Sequence, residues 1–160
     1  MIKTEFDGSA VTARLDAMPV RVREELRVGI ARLAAKLNSN VRKGKLSGQV
    51  LNVRTNRLRN SIGDIVEVNT NIVAGIVSTP VVYAPPHEYG FQGTVNIKAH
   101  LREIKQAFGR PITARAVQVN AHTRDVKLPE RSFLRSALRE MEAAGVPREE
   151  IDAALKRAIA

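Results

Sequence analysis

Val22, Leu26, Ile30, Leu33, Leu37 and Val41 follow one another at spacings of four, four, three, four and four. That spacing sets six apolar side chains on one face of an α-helix, with Arg23, Glu24, Glu25, Arg27, Arg32 and Lys36 in the intervening positions. A stripe this long must lie against other apolar surface, so the rest of the chain has to build something for it to cover. The helix is expected to start near residues 12–19, since Pro19 is tolerated in a first turn. It should stop at Gly44, where Arg42 and Lys43 suit the negative end of a helix. Gly29 interrupts the pattern at a cost of ~1 kcal/mol relative to Ala.

Residues 46–57 read as a loop, followed by a short helical turn at 58–62. Beyond Gly63 the apolar period changes to two. Residues 65–68 and 72–77 are β-branched runs across the polar cluster Asn69-Thr70-Asn71, which predicts a hairpin. Val81-Val82-Tyr83 is a third apolar run, read as a third strand, and Pro85-Pro86 ends it.

Residues 94–124 alternate apolar and polar side chains, so each strand there should have a wet face. The octapeptide beginning at Val95 (VNIKAHLR) echoes the one beginning at Val117 (VQVNAHTR). Two antiparallel strands with similar faces explain the echo. Between them, residues 101–113 read as a basic tip broken by Gly109-Arg110-Pro111. The segment is therefore a long, basic, projecting β-hairpin arm, which would find its contacts on a neighbour.

The C-terminal part is helical, with Phe133, Leu134, Ala137, Leu138 and Met141 on one face. Gly145 breaks it, and Pro147 opens a last helix carrying Glu149, Glu150 and Asp152 in its first turn. The expected fold is α+β, residues 1–160 as a single domain: a long N-terminal helix packed on a mainly antiparallel sheet, the 94–124 arm, and C-terminal helices.

Charge narrows the function. The 160 residues hold 26 Lys and Arg against 16 Asp and Glu, a net charge of +10. Seven of the basic residues fall in 36–61 with no acid among them, and six in 98–124 beside one acid, Glu103. An anionic partner follows, either nucleic acid or an acidic protein surface. There is no Cys, which removes disulfides, a thiol nucleophile and Cys-bound zinc, and suits a reducing compartment. No stretch approaches the ~20 apolar residues of a membrane span, and no signal peptide or membrane contact is expected.

No GxSxG, P-loop, GxGxxG or HExxH pattern occurs, because His87-Glu88 is followed by Phe91 where a second His would stand. No catalytic residue, metal site or cofactor is expected. The run Arg54-Thr55-Asn56-Arg57-Leu58-Arg59-Asn60-Ser61 suits phosphate, but it lacks the aromatic platforms of single-strand binders.

Three segments together resemble one family. Arg54-Thr55-Asn56-Arg57-Leu58-Arg59-Asn60-Ser61-Ile62 is close to T-G-R-L-R-[ND]-S-I. Tyr83-Ala84-Pro85-Pro86-His87-Glu88-Tyr89-Gly90 is close to Y-A-x-x-x-E-x-G. The ten residues from Pro129, PERSFLRSAL, are close to P-x-R-P-F-L-R-P-A-L. In this order, after a long helix, they resemble the tail-completion (minor tail) proteins of tailed bacteriophages, the virion morphogenesis type included. Asn56 stands where that pattern has Gly, and Asn is the next best residue for a left-handed backbone. Ser132 replaces a common Pro.

The resemblance implies a structural virion protein at the head-proximal end of the tail, with no enzymatic activity. It would form a homo-oligomeric ring, a hexamer, in the neck. Its partners would be the tail terminator or tube protein and the head-tail connector, with transient contact to DNA in the lumen. It would be assembled in the bacterial host cytoplasm. On this reading Val22, Leu26, Ile30, Leu33 and Leu37 pack the long helix on the sheet. Arg57, Leu58 and Arg59 shape the loop into the sheet. Tyr83, Glu88 and Tyr89, with Gly90, fix the turn after the third strand. Phe133 and Leu134 anchor the C-terminal helix. Lys98, Arg102, Lys105, Arg110 and Arg115 face the partner or DNA. Two alternatives stand: a non-specific nucleic-acid-binding protein, and a phage tail terminator.

Overall fold

The computed structural model describes residues 2–4, 20–69 and 72–159. The expected helix start at 12–19 and most of the turn cluster at 69–71 lie outside them. The fold is α+β, with a long N-terminal helix, antiparallel strands paired as hairpins and C-terminal helices. The chain forms two compact units: Met1–Tyr89 with Glu130–Ala160, and Gly90–Pro129.

In the first unit, helix α1 (Val20–Lys43) ends one residue before Gly44. Strands β1 (Ile2–Thr4), β2 (Gly63–Val68) and β3 (Val73–Thr79) form an antiparallel sheet in the order β1-β3-β2. The β2–β3 hairpin pairs Val68 with Val73 and Gly63 with Ser78, while β1 pairs Ile2 with Thr79 on the other side of β3. The third strand therefore comes from the N-terminus and not from residues 81–83. At that point the chain turns instead: Ala84 N–H donates to the Val81 carbonyl at 3.0 Å, and helix α3 (Ala84–Tyr89) begins. Val81 is buried and Val82 fully turned to solvent. Pro85 and Pro86 sit in the first turn of α3, where their missing N–H groups cost nothing.

The α1 stripe divides its work. Leu33, Leu37 and Val41 enter the main core with Leu46, Leu51, Ile62, Val77, Phe133, Leu134 and Met141. Ile30 lies at its margin, against β3: a Cβ on Gly75 would come within 3.0 Å of Ile30 Cγ2, so the glycine lets helix and strand approach closely. Leu26 and Val22 do not pack on the sheet as expected. They form a second cluster with Ala154, Ile151 and Leu155 of helix α5 (Val146–Ile159). Gly29 is explained there, since a Cβ at that position would stand 3.2 Å from Ala154 Cβ. Helix α4 (Leu134–Ala143) is amphipathic and buries Leu134, Ala137 and Met141. It is tied to the residues after α1 by the ion pair of half-exposed Glu140 with buried Lys45.

The second unit is a two-stranded ribbon of β4 (Phe91–Ile97), β5 (His100–Ala107), β6 (Arg110–Val119) and β7 (His122–Leu128). β4 pairs with β7 and β5 with β6, both antiparallel. Phe91 faces Leu128, Ile97 faces His122, His100 faces Val119 and Ile104 faces Arg115. These pairs share one register, so the two echoed octapeptides lie opposite each other. Both strands are interrupted at the same level, at 98–99 and 120–121. There the echo becomes structural: Nδ1–H of His100 donates to the Lys98 carbonyl, and Nδ1–H of His122 to the Asn120 carbonyl, each at 2.9 Å.

The basic tip expected over 101–113 is strand almost throughout. The turn is only Phe108-Gly109, with φ of 51° and 75°. Two successive left-handed residues make the tight hairpin turn that matches strand twist.

Candidate functional site

The three segments singled out in the sequence converge in the first unit on one recess of about 590 Å³. Its wall is the stretch from Gly48 to Arg59, joined by Tyr83, His87 and Arg131. The wall is shaped by local backbone bonds. Val50 and Leu51 N–H both donate to the Lys45 carbonyl at 3.2 Å, and Gly48, at φ 114°, donates to the Leu51 carbonyl at 3.1 Å. Asn56 adopts φ 56° and leads into the short helix α2 (Arg57–Ser61), with Asn60 N–H donating to its carbonyl at 2.8 Å. The left-handed position is thus filled by the residue type most tolerant of it after glycine.

Four arginines line this recess, Arg54, Arg57, Arg59 and Arg131, and among the described residues no Asp or Glu does. None of the four makes a hydrogen bond or ion pair through its side chain with the described residues. Several other cations of the same unit are matched: Arg27 with Glu24, Arg32 and Lys36 with Glu150, Lys45 with Glu140, Arg157 with Glu25. The recess also exposes apolar surface from Val50, Val53 and Leu58 over the buried Leu46 and Leu51. Tyr83 stands edge-on to His87, ring centroids 6.1 Å apart. Burial, and then the Arg131 charge, push the His87 imidazole below its usual pKa, so it stays neutral near pH 7.

Behind the recess Glu88 is wholly buried. Its Oε2 accepts from Phe133 N–H at 2.8 Å and Leu134 N–H at 2.9 Å. Its Oε1 accepts from the Ser132 hydroxyl at 2.8 Å, Arg135 N–H at 2.9 Å and Arg135 Nε at 3.2 Å. Phe133 itself offers α4 no side-chain cap, so a carboxylate remote in sequence satisfies the orphan N–H groups of that helix start. Burial works against the charge, but the backbone N–H groups of 133–135 and the Ser132 hydroxyl outweigh it and hold the carboxyl below the usual range. Arg131 N–H donates to the His87 carbonyl at 2.8 Å, and Arg135 lies 4.5 Å over the Tyr89 ring. Glu88 and Tyr89 therefore hold the start of α4, and do not fix a turn after a strand. Gly90, at φ 77°, follows them. Phe133 and Leu134 are fully buried.

The five basic positions of the ribbon are exposed but do not form one cluster. Arg102 and Arg115 share a face with Ile104 and Val117, since Arg102 pairs with Val117 and Ile104 with Arg115. Lys98 lies at the interruption, Arg110 beside the turn, and Lys105 is paired with Glu103 at 3.0 Å. Two features escaped the sequence reading. Arg131 is legible only within its own segment, and folding brings it to the recess lined by the Arg54–Arg59 run that suits phosphate. Phe108, fully exposed at the turn, could have been found from the alternation that runs up to Ala107 and resumes at Arg110. Among the described residues no group of three or more His, Asp or Glu is placed to hold a metal ion.

No protein-family model matches the chain, and neither does any curated protein or solved structure.

Proposed function

We propose that this chain is a structural protein of a tailed-phage neck, completing the head-proximal end of the tail and joining it to the head connector as a subunit of a six-fold ring. The observation that carries the reading is the ribbon of residues 90–129. None of its residues is buried, yet it displays Leu101, Phe108 and Ile112 to solvent. A lone two-stranded hairpin is marginal in water, and strands of this kind gain stability by lying on a neighbour's sheet. A head-to-tail contact in which each subunit grips the next closes into a ring. The reading assigns no catalysis and no cofactor. Arg102, Arg110 and Arg115 would meet acidic connector surfaces or, weakly, the DNA that passes through the lumen.

A second reading, non-specific nucleic-acid binding, is favoured by the side chains of Lys98, Arg102, Arg110 and Arg115, which make no ion pair with the described residues. Light scattering over several concentrations and salts, with microscopy of the same samples, separates the two. Rings of one size are expected, and are expected to be lost when Leu101, Phe108 and Ile112 are all replaced by Ser. A monomer that binds duplex DNA with an affinity falling steeply with salt would overturn the ring in favour of the second reading.

A further inference from the structure

We infer that the arginine-lined recess of the first unit is a docking site for an acidic peptide segment of a partner protein, one that carries an apolar anchor residue between its carboxylates. The inference depends on neither the ribbon nor the ring. Arg54, Arg57, Arg59 and Arg131 line the recess with no carboxylate beside them among the described residues, and none of the four has an ion pair there. Four like charges around one concavity raise the local positive potential, which favours an anion there and weakens with salt.

The shape and lining select which anion. About 590 Å³ lies in the range of ligand pockets and far below what a duplex would need. Guanidinium forks take carboxylates in pairs of parallel hydrogen bonds. Val50, Val53 and Leu58 supply apolar surface that a sugar-phosphate backbone does not use but an aliphatic side chain does. A single-stranded nucleic acid would want free aromatic faces. Among the described residues two rings line the recess, Tyr83 and His87, and they are engaged edge-on with each other. Neutral His87 adds a donor and an acceptor at the rim without adding charge.

Fluorescence anisotropy on the purified full chain tests this with two probes, a labelled Asp-Glu-Leu-Leu-Glu-Asp peptide and a labelled oligothymidylate. The peptide is expected to bind, and each of Arg57→Gln and Arg131→Gln to weaken it about tenfold. Val53→Asp should abolish binding, and Arg102→Gln with Arg115→Gln on the ribbon should leave it unchanged. The substituted positions Val53, Arg57 and Arg131 are exposed, and circular dichroism melts report whether each variant is folded. Should one be unfolded, Arg54→Gln replaces it. A peptide that does not bind, or binds equally well to the recess and ribbon variants, overturns the inference. So does an oligothymidylate that binds more tightly than the peptide and loses that binding in Arg57→Gln, which would make the recess a phosphate site.

Discussion

Glu88 shows how much one side chain can carry when it is buried with its charge. Its five hydrogen-bond donors are fixed mostly by backbone, so the carboxylate cannot be exchanged for a neutral isostere without turning an amide N–H toward other N–H groups. Glu88→Gln is expected to destabilise the protein by about 3 kcal/mol or more, read as a lowered urea midpoint with an unchanged slope. The pH dependence has a definite sign. Because the folded pKa lies below the unfolded one, the contribution is complete above the ordinary glutamate range and is lost as pH falls through the lowered value. The wild-type stability should therefore drop on the acid side more steeply than that of Glu88→Gln. Parallel acid limbs for the two proteins would contradict this account.

At the scale of elements, small residues decide how closely α1 can be approached. Gly29 admits Ala154 of α5 on one part of the helix, and Gly75 admits Ile30 and Ala34 against β3 on another. The ~1 kcal/mol of helix propensity given up at Gly29 is offset by that packing. The hairpin turn runs the other way. Phe108 is bulky, fully exposed and held at φ 51°, where Asn or Gly would be at ease. Such local strain costs about 1–3 kcal/mol and persists where a residue serves something other than stability. Phe108→Asn is expected to slow amide hydrogen exchange at Ala107 and Arg110 while impairing the ring assembly proposed above. Faster exchange in the variant would show that the phenylalanine stabilises the turn it occupies.

At the scale of the whole molecule, both apolar clusters lie within the first unit, and no residue of 90–129 belongs to them. Replacing residues 92–127 by a short Gly-Ser linker should therefore leave a cooperatively folding protein with a melting temperature within a few degrees of wild type. A variant without a cooperative melt would refute the division into units. Much of this architecture was legible beforehand, because it rests on local periodicity. The 4-4-3-4-4 stripe specifies a helix face, the change to period two at Gly63 specifies strands, and the echo between residues 95–102 and 117–124 anticipates their pairing.

What local pattern does not encode is which distant surfaces meet. Val81-Val82-Tyr83 has the composition of a strand, but the sheet's third position is taken by residues 2–4, whose backbone pairs with β3 from more than seventy residues away. The stripe on α1 is legible as a stripe, while its division between sheet and α5 depends on where Gly75 and Ala154 arrive. The candidate site is the clearest instance. The sequence alone determined that Arg54 to Ile62, Tyr83 to Gly90 and the segment around Phe133 stand apart from their surroundings, that the chain is strongly basic, and that it contains no cysteine. Only the tertiary structure decided that the first two and Arg131 surround one recess, that Glu88 is the carboxylate capping α4, and that four arginines there have no acid to pair with among the described residues. Helix and strand follow from neighbours a few residues apart, whereas charge balance and burial are settled by contacts between residues tens of positions apart, and those exist only once the chain has closed on itself.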